Sequence, residues 1–176
     1  FSGEAKSFLE SKGKTIFTFA LSIIFIYLVL VAQFESFIDP LIILVTVPMS
    51  ICGALIFMNL GFATINIYTQ IGLVTLIGLI SKHGILMVDF ANHLRREQAL
   101  DARTAIERAA AIRLRPILMT TAAMVVGLVP LLFAKGAGAS SRFDIGIVIV
   151  TGMLIGTFFT LFVLPTIYSF LAAKDV

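Results

Sequence analysis

Five stretches of the 176-residue chain are apolar over about the length a lipid bilayer demands, near 20 residues each. They run roughly over 15–34, 41–60, 65–91, 116–133 and 145–171. The chain is 59% hydrophobic and only 13% charged, with a mean hydropathy of +1.06, and a soluble domain with a charged surface is excluded. The fold expected is all-α and integral to the membrane, with five transmembrane helices. The third run, TLIGLISKHGILMVDFAN over 75–92, poses the main question, because it carries Lys82 and Asp89 where lipid belongs. Charges at that depth cost several kcal/mol, so they ordinarily face a protein interior and mark ion or substrate pathways.

The connections between runs are short. ESFIDP over 35–40 makes a tight hairpin, with Pro40 suited to open the second helix. Gly61 and the asparagines of NLGFATIN, 59–66, supply turn chemistry before the third. The long connection, NHLRREQALDARTAIERAAAIRLR over 92–115, holds six of the thirteen Lys and Arg residues. Within it Asp101 is placed to cap a helix, and Ala99, Ala102, Ile106 and Ala109 recur at helical steps opposite Arg103, Glu107 and Arg108. One amphipathic helix lying along the cytoplasmic membrane surface is the expectation for 93–115.

Basic loops favour the cytoplasm. Placing this one inside puts Arg95, Arg96, Arg103, Arg108, Arg113, Arg115 and Lys174 there, against Lys6, Lys12, Lys14, Lys135 and Arg142 outside. The expected organisation is therefore 1–14 as the end of a periplasmic region, 15–92 as the first three spans, 93–115 cytoplasmic, 116–171 as the last two spans, and 172–176 as a cytoplasmic tail. A start at Phe1, without methionine or leader, is what a segment of a longer protein would show. The single cysteine, Cys52, rules out an intrachain disulfide and a cysteine metal cluster, and His83, His93 and the methionines fit no ligand spacing. No cofactor and no nucleic-acid partner are expected.

Lys82 lies eleven residues before His93, about 16 Å along a helix, too far for its side chain to reach the interface. Asp89 follows at i+7, on the same face but about 10.5 Å away, and its expected surroundings are the cytoplasmic interface. Every other acid, from Glu4 to Asp175, falls in a loop or near a helix end. Unless burial leaves the lysine neutral, its counter-ion must come from a helix outside this chain. The fourth run offers polar neighbours in RLRPILMTTAAM, 113–124: Arg113 and Thr120 are seven residues apart and share a face. The Thr120 hydroxyl either bonds its own helix or receives the lysine when the acid is neutralised. Arg115 reads as a positive anchor. Gly152 and Gly156 form a small-residue pair suited to close helix packing, and GAGASS over 136–141 is a short outer loop.

The strings FESFIDPLIILVTVPMSICGAL (34–55), QIGLVTLIGLISKHGILMVDFAN (70–92), RLRPILMTTAAM (113–124) and GAGASSR (136–142) closely resemble the C-terminal membrane half of resistance-nodulation-division (RND) efflux pumps, in the hydrophobe/amphiphile multidrug branch. The resemblance covers nearly the whole chain, in order. It implies the last five of six spans of that half, within a twelve-helix protomer, working as a proton-driven drug antiporter. It further implies a homotrimer in a Gram-negative inner membrane, with a periplasmic adaptor and an outer-membrane channel. In such pumps a lysine on the fourth span of this half pairs with two aspartates of the N-terminal half; Lys82 matches that lysine, and Arg113 and Thr120 match polar residues of the next span. His83 stands where an asparagine is common, a difference that bears on pH response. Two other readings remain beside it: a protein-secretion or lipid-export relative using the same proton machinery, and a structural or sensing bundle in which Lys82 is a static strut.

Overall fold

The computed structural model describes residues 2–172; Phe1, Ala173, Lys174, Asp175 and Val176, and with them most of the expected tail, lie outside the described residues. Five long helices follow in order: α1 (Ser2–Phe34), α2 (Ile38–Phe57), α3 (Ile67–Gln98), α4 (Ala102–Leu132) and α5 (Ala139–Leu171). Each contains a segment long and apolar enough to cross a membrane. At 1.5 Å per residue the 33 residues of α5 reach about 50 Å, well beyond the hydrocarbon thickness.

The connections follow from local chemistry. Pro40 lies in the first turn of α2, where its missing N–H leaves no partner unsatisfied. A single π-helical turn, Met58–Phe62, ends the second span, and Gly61 adopts φ +90°, a conformation that favours glycine. Asn66 opens α3 through a capping box: its side-chain oxygen accepts from the Tyr68 and Thr69 amides, and the Thr69 hydroxyl accepts from the Asn66 amide. Residues 2–14 are helical and continuous with the first span.

The stretch 93–115 departs from expectation. It is not one separate surface helix: 93–98 finish α3, the chain turns at Ala99–Asp101, and 102–115 are the first turns of α4, which runs unbroken through Pro116. Ala99 ends α3 in the left-handed region at φ +50°. Asp101 is the N-cap residue of α4; its carboxylate closes no capping hydrogen bond, but the Thr104 hydroxyl beside it holds it below its ordinary pKa. The amphipathic pattern seen in the sequence is genuine. Its apolar side, with Ala102, Ala105, Ile106 and Ala109, is buried against the other helices in one continuous core cluster.

Helix α5 is the hub, packing against α2, α3 and α4. More than half of its spanning window is buried, whereas only 6% of the α1 window and 11% of the α4 window are. Those two helices therefore present apolar side chains such as Phe17, Phe25, Met119 and Val126 outward. Close approach at the hub depends on glycine, as the Gly152–Gly156 pair implied. A Cβ at Gly156 would stand 2.6 Å from Ile80 Cδ1 and against the Ser50 hydroxyl, and one at Gly152 would strike Leu76. Two apolar clusters result, one around Met87, Ile106, Leu164 and Tyr168, the other around Leu76, Val148 and Met153. Buried hydroxyls lie along the same helices: Thr46, Ser50, Ser81 and Thr160 each donate to a carbonyl of their own helix, so polar side chains sit inside at no unsatisfied cost.

Candidate functional site

Lys82 stands at the midpoint of α3, fifteen residues after Ile67 and sixteen before Gln98. Its side chain faces outward from the bundle. Arg103 pairs with Glu107 at 3.0 Å and His93 Nε2 stands 3.2 Å from the Glu97 carboxylate, and Lys82 takes part in neither contact. The lysine therefore sits about 22–24 Å from either helix end, without a carboxylate partner among the described residues.

What surrounds it comes from α4. Lys82, His83 and Leu86 of α3 close a cavity of about 40 Å³ with Arg113, Pro116, Ile117 and Thr120 of α4. The three residues singled out from sequence as a relay are thus brought together, although α4 begins twenty residues after Lys82. The face-sharing argument for Arg113 and Thr120 holds, because i+7 spans two helical turns. The Thr120 hydroxyl donates to the Pro116 carbonyl at 2.8 Å, the own-helix alternative. That bond leaves its oxygen lone pairs free to accept.

Arg113 contributes in two ways. Its guanidinium carbon lies 4.8 Å from the centroid of the Phe90 ring, within cation–π range. It also borders a second cavity, of about 450 Å³, lined by Gln33, Phe34, Asp89, Phe90, Asn92, His93 and Arg96. Asp89 belongs to this second space and not to the one at Lys82, as its distance along the helix required. It is exposed there, in a space that Arg96 and Arg113 also line.

His83 is the residue whose place the sequence did not disclose. It is 1% exposed and turned toward the core side of α3, immediately beside the outward-facing Lys82. Both of its ring nitrogens, and Nε of Arg113, are buried with no hydrogen-bond partner among the described residues. Groups buried in this way are costly, and most find a partner.

Three further polar contacts hold the frame, and sequence reasoning missed all three. At the basic end Asn92 donates to Asp39 at 2.6 Å and accepts from the Tyr168 hydroxyl, joining α3, α2 and α5. At the opposite end Asn66 of α3 donates to the buried Asp144 of α5 at 2.5 Å. Helix α3 is thereby bonded near both of its ends. In mid-bundle the Thr121 and Thr157 hydroxyls pair at 3.1 Å between α4 and α5, so Thr121 faces the hub while Thr120 faces the cavity. Asp39 and Asp144 lie near helix ends, as expected from sequence. Their burial at those ends was not visible from position alone.

Comparison with known proteins places these features in context. The model of the AcrB/AcrD/AcrF family matches residues 1–172. A protein of Haemophilus influenzae described as an uncharacterized transporter is 52% identical over 180 residues, covering 99% of this chain. The chain spans 17% of that relative's length.

Proposed function

Because the chain belongs to the AcrB/AcrD/AcrF family of RND transporters, we propose that it is the proton-coupling membrane portion of an inner-membrane multidrug exporter exchanging drug for protons. The observation that carries this reading is Lys82: a cation at mid-helix, without a carboxylate partner among the described residues, opening beside Arg113 and Thr120. A site of that kind calls for an acid from another helix, because an unpaired ammonium at this depth is expensive. The acid is assigned to the N-terminal half of the same transporter, and such half-to-half interfaces near mid-membrane are where coupling ions bind in transporters built from repeats.

The mechanism follows from charge. While the partner carboxylate is ionised it holds Lys82 outward, away from α4. Protonation removes the attraction, and the ammonium turns toward the cavity, where Thr120 offers oxygen lone pairs. Two packings of α3 against α4 are thereby biased by one proton. A membrane potential supplies about 2.3 kcal/mol per charge per 100 mV toward that step. Arg113, stacked on Phe90, keeps a fixed positive charge beside the cavity and opposes over-rotation of the lysine. The basic end of the bundle faces the cytoplasm in this reading, the protein assembles as a homotrimer, and drug, adaptor and outer-membrane channel are handled by other parts of the transporter.

The test uses the full-length transporter in a drug-sensitive strain. Lys82→Met and Lys82→Ala abolish resistance while membrane abundance stays normal; wild-type export by either variant removes the coupling role.

A further inference from the structure

Three buried polar atoms lack partners, and the two residues that carry them line one small space. His83 Nδ1, His83 Nε2 and Arg113 Nε are the buried side-chain atoms among the described residues that lack a hydrogen bond, and both residues line the cavity of about 40 Å³ between α3 and α4. A cavity accepts a water once it offers about 10–15 Å³ and two to four polar partners. This one exceeds that volume and is bordered by an imidazole, a guanidinium, a hydroxyl and an ammonium.

We propose that the cavity is a water-binding site, held by His83 and Arg113, which links Lys82 to Thr120. A single water satisfies Arg113 Nε and one of the two His83 ring nitrogens. Arg113 Nε–H is a donor and has no acceptor, so the water accepts from it. The Thr120 proton is already committed to the Pro116 carbonyl, so Thr120 can only accept, and the water donates to it. A neutral His83 has one acceptor nitrogen, which takes the water's second proton; its N–H nitrogen lies outside this water's four bonds. The remaining lone pair of the water faces Lys82, whose three N–H groups are donors only.

Helices α2 and α5, which pack on the other side of α3, bring no charged side chain to this level. Their charged groups among the described residues are Asp39, Arg142 and Asp144, all near helix ends. His83 is therefore a positioning residue for the lysine: it holds the water that receives the ammonium when its outside carboxylate is neutralised. This role rests on the coupling reading above, whereas the hydration of the cavity does not.

The experiment has two arms, both on the full-length transporter. In the first, His83→Gln and His83→Asn, which keep a donor and an acceptor, hold export within about twofold of wild type, while His83→Leu lowers it about tenfold or more at equal abundance. Normal export by His83→Leu overturns the proposal. Equal loss in all three variants also overturns it, since it shows a need for imidazole itself. In the second arm, a map of the wild-type transporter fine enough to resolve ordered waters shows one within hydrogen-bond reach of both His83 and Arg113. A dry cavity in such a map overturns the site even where His83→Leu fails to accumulate. Lys82→Met separates the two readings: normal export there removes the coupling role and leaves the hydration site to be decided by the map alone.

Discussion

Lys82 of α3 and Thr120 of α4 border the same cavity of about 40 Å³, although one side chain faces out of the bundle and the other bonds back to its own helix. The pair thus occupies the boundary between this chain and whatever lies against α3 and α4. In the proposed coupling, a lysine at such a seam responds to a charge outside and to a polar lining inside, and alternates between them.

The neighbouring threonines separate the two kinds of role. Thr120→Ala impairs export and leaves the fold intact, because its hydroxyl bonds only the helix it stands on. Thr121→Ala acts through stability, since Thr121 and Thr157 pair at 3.1 Å inside the bundle. A double-mutant cycle with Thr121→Val and Thr157→Val, read by thermal unfolding in detergent, gives a coupling of about 0.6–1.5 kcal/mol. A coupling near zero places the hydroxyls in separate environments.

Glycines on the hub and on the outer face of α4 differ in what they tolerate. Gly156→Val forces a side chain into Ser50 and Ile80 and costs about 1–3 kcal/mol, or prevents accumulation. Around Gly127 nothing lies within 4 Å, and Gly127→Ala is neutral or gains up to about 1 kcal/mol of helix propensity. Expression and melting temperature of the two variants, compared side by side, check the contrast.

Asn92 satisfies two buried groups at once, the Asp39 carboxylate and the fully buried Tyr168 hydroxyl. Asn92→Ala leaves both without it and destabilises by about 1–3 kcal/mol. Asn92→Leu with Asp39→Asn removes the charge as well and recovers part of the loss. Failure of any destabilisation in Asn92→Ala shows that the bond is dispensable.

Charges on the exposed side of α4 contribute little. Arg103 pairs with Glu107 at 3.0 Å on an open surface, where such pairs contribute about 0–1 kcal/mol. Arg103→Ala keeps normal export and stability; loss of export at normal abundance reveals a contact with another part of the transporter.

Hydrophobic run length made the five spans legible, and the i+7 spacing of Arg113 and Thr120 placed them on one face. The boundary at 93–115 was hidden for a definite reason. Helices commonly announce their ends with glycine, and here the left-handed position is Ala99. Pro116 likewise read as a start, whereas tertiary packing of Ala105, Ala109 and Ile117 carries the helix through it. The burial of His83 was illegible because its neighbour Lys82 faces the other way, and one residue step of about 100° decides which is outside. Asn66–Asp144 and Asn92–Asp39 join positions 78 and 53 apart in sequence, which no local pattern encodes.

The central claim is that the counter-charge of Lys82 belongs to another part of the transporter. An experimental structure of the intact protein at a pH where carboxylates are ionised measures it directly, through the distance from Lys82 Nζ to the nearest carboxylate oxygen. The account predicts a contact within about 4 Å, from a helix outside residues 1–176. A lysine nitrogen surrounded by lipid or bulk water, with no acid from elsewhere in the molecule at hand, contradicts it.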